Sequence, residues 1–133
     1  MEISAYLNFN GNCAQAFAFY AKVLGGKIER MDKFGTSPLK DQMPPSMQDA
    51  VLHVRLAVGN QALLGSDAPP DRFVKAAGMS VTLNVKGFNE GKRLFDALAE
   101  GGTATMPFSK PFWSEGFGAL TDRFGTPWMI NAE

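Results

Sequence analysis

The first quarter of the chain is written a second time 76 residues later, which limits the possible folds more than any other feature of its 133 residues. Ser4-Ala5-Tyr6-Leu7-Asn8-Phe9-Asn10-Gly11 lies over Ser80-Val81-Thr82-Leu83-Asn84-Val85-Lys86-Gly87, with Ser, Leu, Asn and Gly matched in place. At the same offset Phe19 falls on Phe95, Ala21 on Ala97 and Gly25-Gly26 on Gly101-Gly102. Each copy reads strand, helix, Gly-Gly, strand. A chain built of two such units is expected to place a ligand site where related halves face each other, since concave surfaces with convergent side chains arise there.

The periodicities give the order of elements. Residues 2–9 alternate, with Leu7 and Phe9 on one face and Tyr6 and Asn8 on the other, as in a half-buried strand. Cys13, Ala16, Phe17, Tyr20 and Leu24 form one helical stripe that Gly25-Gly26 ends. A strand follows over Lys27–Phe34. The segment 35–48, with Pro38, Pro44 and Pro45, reads as a mobile loop without regular structure. Residues 49–57 alternate again, Leu52, Val54 and Leu56 against His53 and Arg55, and Gly59-Asn60 turns into a strand over Gln61–Ser66. The first module, residues 1–67, is therefore β-α-β-β-β. Asp67-Ala68-Pro69-Pro70 opens a linker, taken as 68–78, because two prolines remove two backbone donors.

The second module, 79–133, repeats the order. Its first strand sets Val81, Leu83 and Val85 against Ser80, Thr82 and Asn84, and its helix runs from Asn89, read as the N-cap, to Glu100 with Gly91, Leu94, Phe95 and Leu98 inward. A strand over Gly102–Phe108 and a hairpin of Phe117–Asp122 with Thr126–Asn131 complete it, and Asp122 serves the turn.

Composition narrows the partners. Thirteen basic and thirteen acidic residues balance, with no run of like charge, so neither a nucleic-acid groove nor an anionic membrane surface is expected. No apolar stretch approaches the roughly 20 residues of a membrane span, the start Met1-Glu2-Ile3-Ser4 is not a signal peptide, and the single Cys13 has no internal disulfide partner. These features read as a cytoplasmic protein. Cys13 begins the inner helical stripe and is expected to be a small buried hydrophobe, the alternative being a thiol activated at a helix start.

The ending Phe112-Trp113-Ser114-Glu115-Gly116-Phe117-Gly118-Ala119-Leu120-Thr121-Asp122-Arg123-Phe124-Gly125-Thr126-Pro127-Trp128-Met129-Ile130-Asn131, with Tyr6-Leu7-Asn8-Phe9-Asn10-Gly11-Asn12 and Leu63-Leu64-Gly65-Ser66-Asp67, resembles the PhnB-like family of the vicinal-oxygen-chelate superfamily. The resemblance covers nearly the whole chain. It implies an α+β protein, one glyoxalase-like domain over residues 1–133 in which two β-α-β-β-β modules form curled mixed sheets around a cup, and a homodimer.

Metal enzymes of that superfamily carry His, Glu or Gln at four strand positions, which hold a divalent ion while leaving open sites for substrate. Carried over, those positions fall at Ser4 (or Ala5), Leu63 or Leu64, Ser80 and Met129. Neutral hydroxyls are poor ligands, Leu is none, and a thioether favours Cu(I), so no metal and no other cofactor is expected. Relatives with a ubiquinone-methyltransferase name find no support in the residues, which lack a glycine-rich strand-to-helix loop.

The remaining chemistry rests on few side chains. His53, the only histidine, is a candidate general base or anion-sensing donor, or else a strand residue facing solvent. Arg55 is either a bidentate clamp for a carboxylate or phosphate or an ordinary surface charge. Tyr6, Asn8, Ser80, Thr82 and Asn84 line either the cup or solvated surface. Phe112 and Trp113, with Glu115 behind them, either close over a ligand or form a dimer edge. The ligand-binding set is thus Tyr6, Asn8, His53, Arg55, Ser80, Thr82, Asn84, Trp113 and Met129, with His53, Tyr6 and Glu115 as candidate catalytic groups. The reading is a metal-free small-molecule-binding protein; the alternative is a metal-independent lyase or isomerase acting on a small polar substrate, ahead of a metal-dependent glyoxalase or dioxygenase.

Overall fold

The computed structural model describes residues 1–133 and falls into two compact units, Met1–Lys75 and Ala76–Glu133. In the first, β1 (Ala5–Phe9) leads to α1 (Cys13–Leu24), β2 (Lys27–Lys33), β3 (Val51–Val58) and β4 (Gln61–Asp67). The second repeats this with β5 (Val81–Val85), α2 (Phe88–Ala99), β6 (Thr103–Ser109), β7 (Gly116–Thr121) and β8 (Pro127–Ala132). The sheets have matching order, β1-β4-β3-β2 and β5-β8-β7-β6, and both are mixed: the first strand of each unit runs parallel to the last, and the other pairs are antiparallel.

The repeated Gly-Gly has two separate jobs. Gly25 and Gly101 take the left-handed backbone that turns the chain out of each helix, with φ of 68° and 75°. Their followers need to lack a side chain. A Cβ on Gly26 would stand 2.6 Å from the Ala57 carbonyl oxygen, and one on Gly102 would collide with the carbonyl of Thr121. The pair therefore both stops the helix and lets the next strand enter the sheet.

In the first unit Cys13, Ala16, Phe17, Tyr20 and Val23 bury one helical stripe on the sheet, Val23 taking the place expected for the half-buried Leu24. Phe17 meets Phe9 and Tyr20 edge-on, at centroid distances of 6.0 and 5.6 Å. In the second, Gly91, Leu94, Phe95 and Leu98 face the sheet as their spacing predicts, over the buried Leu120, Trp128 and Ile130. Each sheet thus has one face under a helix and one face open.

Four expectations are corrected. Asn89 is not the N-cap of α2: the Gly91 amide already bonds to the Gly87 carbonyl, and Gly87, at φ 86°, holds the cap position. Leu52 does not join the core. A bulge between Asp32 and Lys33 breaks the alternation, so that Val51 is fully buried instead. Residues 35–48 are not without regular structure but contain three short 3₁₀ turns, Phe34–Thr36, Lys40–Gln42 and Pro45–Met47. The Gln48 side-chain amide bonds to the Lys40 and Met43 carbonyls, and Phe34 and Met47 are buried. Asp67, read with the linker turn, is the last residue of β4 and lies buried.

The Asp67 carboxylate joins three parts of the first unit. Its Oδ1 accepts the Gly11 and Cys13 amides at 2.9 and 3.0 Å, at the entry to α1, and its Oδ2 accepts the Val51 amide at 2.9 Å, at the start of β3. Asp122 does comparable work in the second unit. Its Oδ1 accepts the Phe124 and Thr126 amides and its Oδ2 the indole N–H of the buried Trp128, each at 2.9 Å. Asp67→Ala should destabilise the protein by about 3 kcal/mol or more, because it removes charge-assisted bonds and strands buried amides. Urea unfolding followed by circular dichroism measures this, and Asp67→Asn, which keeps one acceptor oxygen, should cost less.

Candidate functional site

The open face of the first sheet collects the residues that carry chemistry. Tyr6 pairs with Leu64 and Leu64 with Arg55, while Asn8 pairs with Ser66 and His53 with Asp32. Strand alternation sets His53 and Arg55 on the same side of β3, roughly 7 Å apart along it. The Tyr6 and His53 rings stack at 5.9 Å with 30° between their planes, and the phenol oxygen lies 3.4 Å from His53 Nδ1. Which of the two donates is set by the imidazole tautomer.

Arg55 is occupied. Its Nη1 and Nη2 each donate at 2.9 Å to one oxygen of Glu2, and its Nε donates at 3.1 Å to Glu29. Ser4 donates its hydroxyl to the same Glu2 carboxylate at 3.1 Å. The Arg55 fork, with Ser4 behind it, holds the Glu2 carboxyl at about 2, well below its ordinary value. The same carboxylates, Glu2 first and Glu29 second, push the guanidinium further up. Arg55 thus stands as a sheet-face charge whose donors are filled by two carboxylates of the chain itself.

The second sheet's open face is different in character. Thr82, Met129 and Ala119 form one cross-strand row, and Asn84, Asn131 and Phe117 the next. The Asn131 amide donates to the Asn84 side-chain oxygen at 3.2 Å. Trp113 packs edge-on against Phe117 at 5.9 Å and against Phe112 at 5.1 Å. Ser80 precedes β5 and is exposed. Glu115 is exposed and ion-paired with Lys110 at 3.1 Å, so its carboxylate serves the surface.

Glu2, Glu29, Asn131 and Phe117 were missed by the sequence reading. The alternation of β8 that carries Met129 also carries Asn131 on the same face, and that signal could have found it. No comparable local signal marks Glu2 or Glu29 as partners of Arg55. Cys13 is fully buried, and burial beside the Asp67 carboxylate pushes its thiol up to about 12, so it is no activated nucleophile.

Of the four positions that the resemblance marks for a metal ion, none carries a His, Glu or Gln side chain. Ser4 gives its hydroxyl to Glu2, Leu63 lies in the core and Leu64 on the open face, Ser80 offers a neutral hydroxyl, and Met129 a soft thioether. No group of three or more His, Cys, Asp or Glu side chains stands together to hold a metal ion.

Two units of strand, helix and three strands, each with a mixed four-stranded sheet open on one side, define the glyoxalase/bleomycin-resistance fold. A glyoxalase/bleomycin resistance protein/dioxygenase family enzyme from Burkholderia phytofirmans shares that fold, with a TM-score of 0.65 at 14% identity over 97% of this chain and 95% of the other. The family model described as 3-demethylubiquinone-9 3-methyltransferase matches residues 1–131, and the chain belongs to that family, the PhnB-like family. It is 37% identical over 139 aligned positions to Protein YjdN of Escherichia coli (strain K12), covering 98% of this chain and 95% of that one. The crystal structure of protein PA1353 from Pseudomonas aeruginosa is 46% identical and superposes with a TM-score of 0.92 over 100% of this chain and 98% of that one. No helix is long and apolar enough to cross a membrane.

The Glu2–Arg55 contact has a defined pH range. A depressed carboxyl value means that the tether is fully present above the ordinary value of 4.5 and is lost as the pH falls through about 2. A carbon-detected NMR titration of the Glu2 carboxyl should give a midpoint below the ordinary value, and Arg55→Gln should return it toward that value.

Proposed function

We propose that the protein binds a small polar molecule, without a metal ion, on the open face of the first unit's sheet. The observation that carries this reading is the Tyr6–His53 pair. A phenol and an imidazole stand 3.4 Å apart on the side of the sheet away from the helix, where the core does not require them. The contact uses Nδ1 and leaves Nε2 for a second partner, and the phenol keeps hydrogen-bonding capacity. Asn8 and Arg55 add an amide and a guanidinium on the same face. The four family metal positions argue for metal-independent recognition, because their side chains offer no hard or borderline donor set.

The methyl transfer in the family's description calls for a nucleotide-like cofactor. The doubly wound parallel sheet that usually presents one is absent from both units, in which only one strand pair of each sheet is parallel. A second reading is favoured by the closeness of phenol and imidazole: His53 and Tyr6 would act as an acid–base pair in a metal-independent lyase or isomerase. Glu115 belongs to the second unit, where it is exposed and paired with Lys110, and neither reading calls on it.

Native mass spectrometry of freshly purified protein should reveal a retained small molecule, with well under one Zn, Ni, Mn or Fe per chain. With that molecule in hand, His53→Ala should weaken binding by about 1–3 kcal/mol, the usual cost of losing one buried polar partner. Unchanged affinity with turnover reduced roughly 10²- to 10⁴-fold would establish the enzymatic reading instead. Stoichiometric metal that survives dialysis and is lost in Ser4→Ala or Ser80→Ala would overturn both.

The protein is further proposed to be a symmetric homodimer. Phe112 and Trp113 are 98% and 58% exposed, and each four-stranded sheet ends in edge strands that lack a second partner within it. Light scattering at tens of micromolar should give twice the chain mass. A monomer would return the aromatic pair to the ligand-closing role.

A further inference from the structure

We infer that Arg55 is the anchor of a carboxylate-binding subsite, and that the Glu2 carboxylate is its built-in occupant, displaced when a small carboxylic acid binds. The inference rests on the binding reading above and adds the chemical class of the ligand. Three observations carry it.

The first is geometry. Both terminal nitrogens of Arg55 meet the two Glu2 oxygens at 2.9 Å, the parallel two-bond fork by which guanidinium recognises a carboxylate. A free carboxylate would fit the same fork without any rearrangement of Arg55. Nε donates separately to Glu29 on the neighbouring strand at 3.1 Å, so that contact does not use the fork that Glu2 fills.

The second is how weakly the occupant is held otherwise. Residues 1–4 precede β1 and belong to no strand or helix. Met1 and Ile3, the two apolar side chains flanking Glu2, are both exposed, Ile3 at 92%. The side-chain bonds that tie the segment to the sheet are therefore those of Glu2 to Arg55; the Ser4 hydroxyl bonds to Glu2 within the segment. Exposed ion pairs of this kind stabilise little and are easily exchanged.

The third is position. Arg55 lies two residues from His53 on one side of β3, and Leu64 separates it from Tyr6 across the sheet. A ligand whose carboxylate sits in the fork reaches the Tyr6–His53 pair with a polar group roughly 5–7 Å away, the distance along two residues of a strand. The favoured class is a short acid bearing a second hydrogen-bonding group at its other end. Glu29 beside the fork adds negative charge and sets the affinity low, so the carboxylate needs that second contact to compete.

Succinate is a suitable probe and succinamide its uncharged control, both titrated by isothermal calorimetry and by NMR of the wild-type protein and its variants. Glu2→Gln should bind succinate roughly 2- to 5-fold more tightly than wild type, the range expected from removing an exposed competing ion pair. Arg55→Gln should lose more than about 10-fold, and Arg55→Lys, which keeps the charge but not the fork, should recover only part of it. In wild type, the amide signals of residues 2–4 should shift toward mobile values as succinate binds, and succinamide should leave them unchanged. Equal succinate affinity in wild type and Glu2→Gln, or undiminished affinity in Arg55→Gln, overturns the inference. So does the absence of succinate binding in every form. Each of these results leaves the Tyr6–His53 reading standing, because that reading is judged by the molecule retained on purification and by His53→Ala. If succinate binds as expected while His53→Ala has no effect on the retained molecule, the carboxylate subsite stands and the phenol–imidazole reading falls.

Discussion

The carboxylate of Asp67 holds the first unit in the arrangement on which its open face depends. Three backbone amides, from the turn before α1 and from the start of β3, converge on one side chain at the end of β4. The Cys13 and Val51 amides would otherwise be unpaired donors in the core, and an unmade bond of that kind costs about 1–3 kcal/mol. By fixing where α1 begins, Asp67 holds the helix over the face that the apolar side of the strands selects. Phe9, Phe17, Val54 and Leu56 follow on the covered side, and Tyr6, Asn8, His53 and Arg55 are left on the other.

The two sides of this sheet differ in how firmly their interactions are held. On the helix side the aromatic contacts of Phe17 with Phe9 and Tyr20 are dry, and the Asp67 bonds are mostly shielded from solvent. On the open side the contacts are exposed ones: a phenol against an imidazole, and a guanidinium shared by two acidic side chains. Exposed ion pairs are worth from nothing to about 1 kcal/mol and weaken with salt. A ligand able to offer the same groups can therefore exchange with them at little cost to the fold. That division of strong from weak contacts leaves the open face able to change without loss of the core that holds the unit together.

Much of this frame was legible in the sequence because its signals are local or repeated. The stripe of Cys13, Ala16, Phe17 and Tyr20, the stripe of Gly91, Leu94, Phe95 and Leu98, and the duplicated Gly-Gly each act within a few residues, and the repeat let one unit check the other. What escaped was non-local. Asp67 stands next to Ala68-Pro69-Pro70 and so looks like turn chemistry, yet its three amide partners lie 16, 54 and 56 residues away. The bulge that buries Val51 in place of Leu52 depends on how β2 meets β3, which alternation within β3 alone does not show. Arg55 was legible as a possible clamp from its charge and its place opposite the core. Its occupants were not, because Glu2 is 53 residues away in a segment with no periodic pattern and Glu29 sits on a neighbouring strand.

The duplication explains how such a face can arise within a retained frame. Both units keep the same strand order, the same helix position and the same glycine devices, so the demands of folding are met twice in the same way. Their open faces are under no such demand, and they have diverged. One carries the only histidine, a tyrosine and an ionic clamp; the other carries paired asparagines, a methionine and a cluster of Phe and Trp. The difference between the two units therefore lies on the side of each sheet that the helix does not touch.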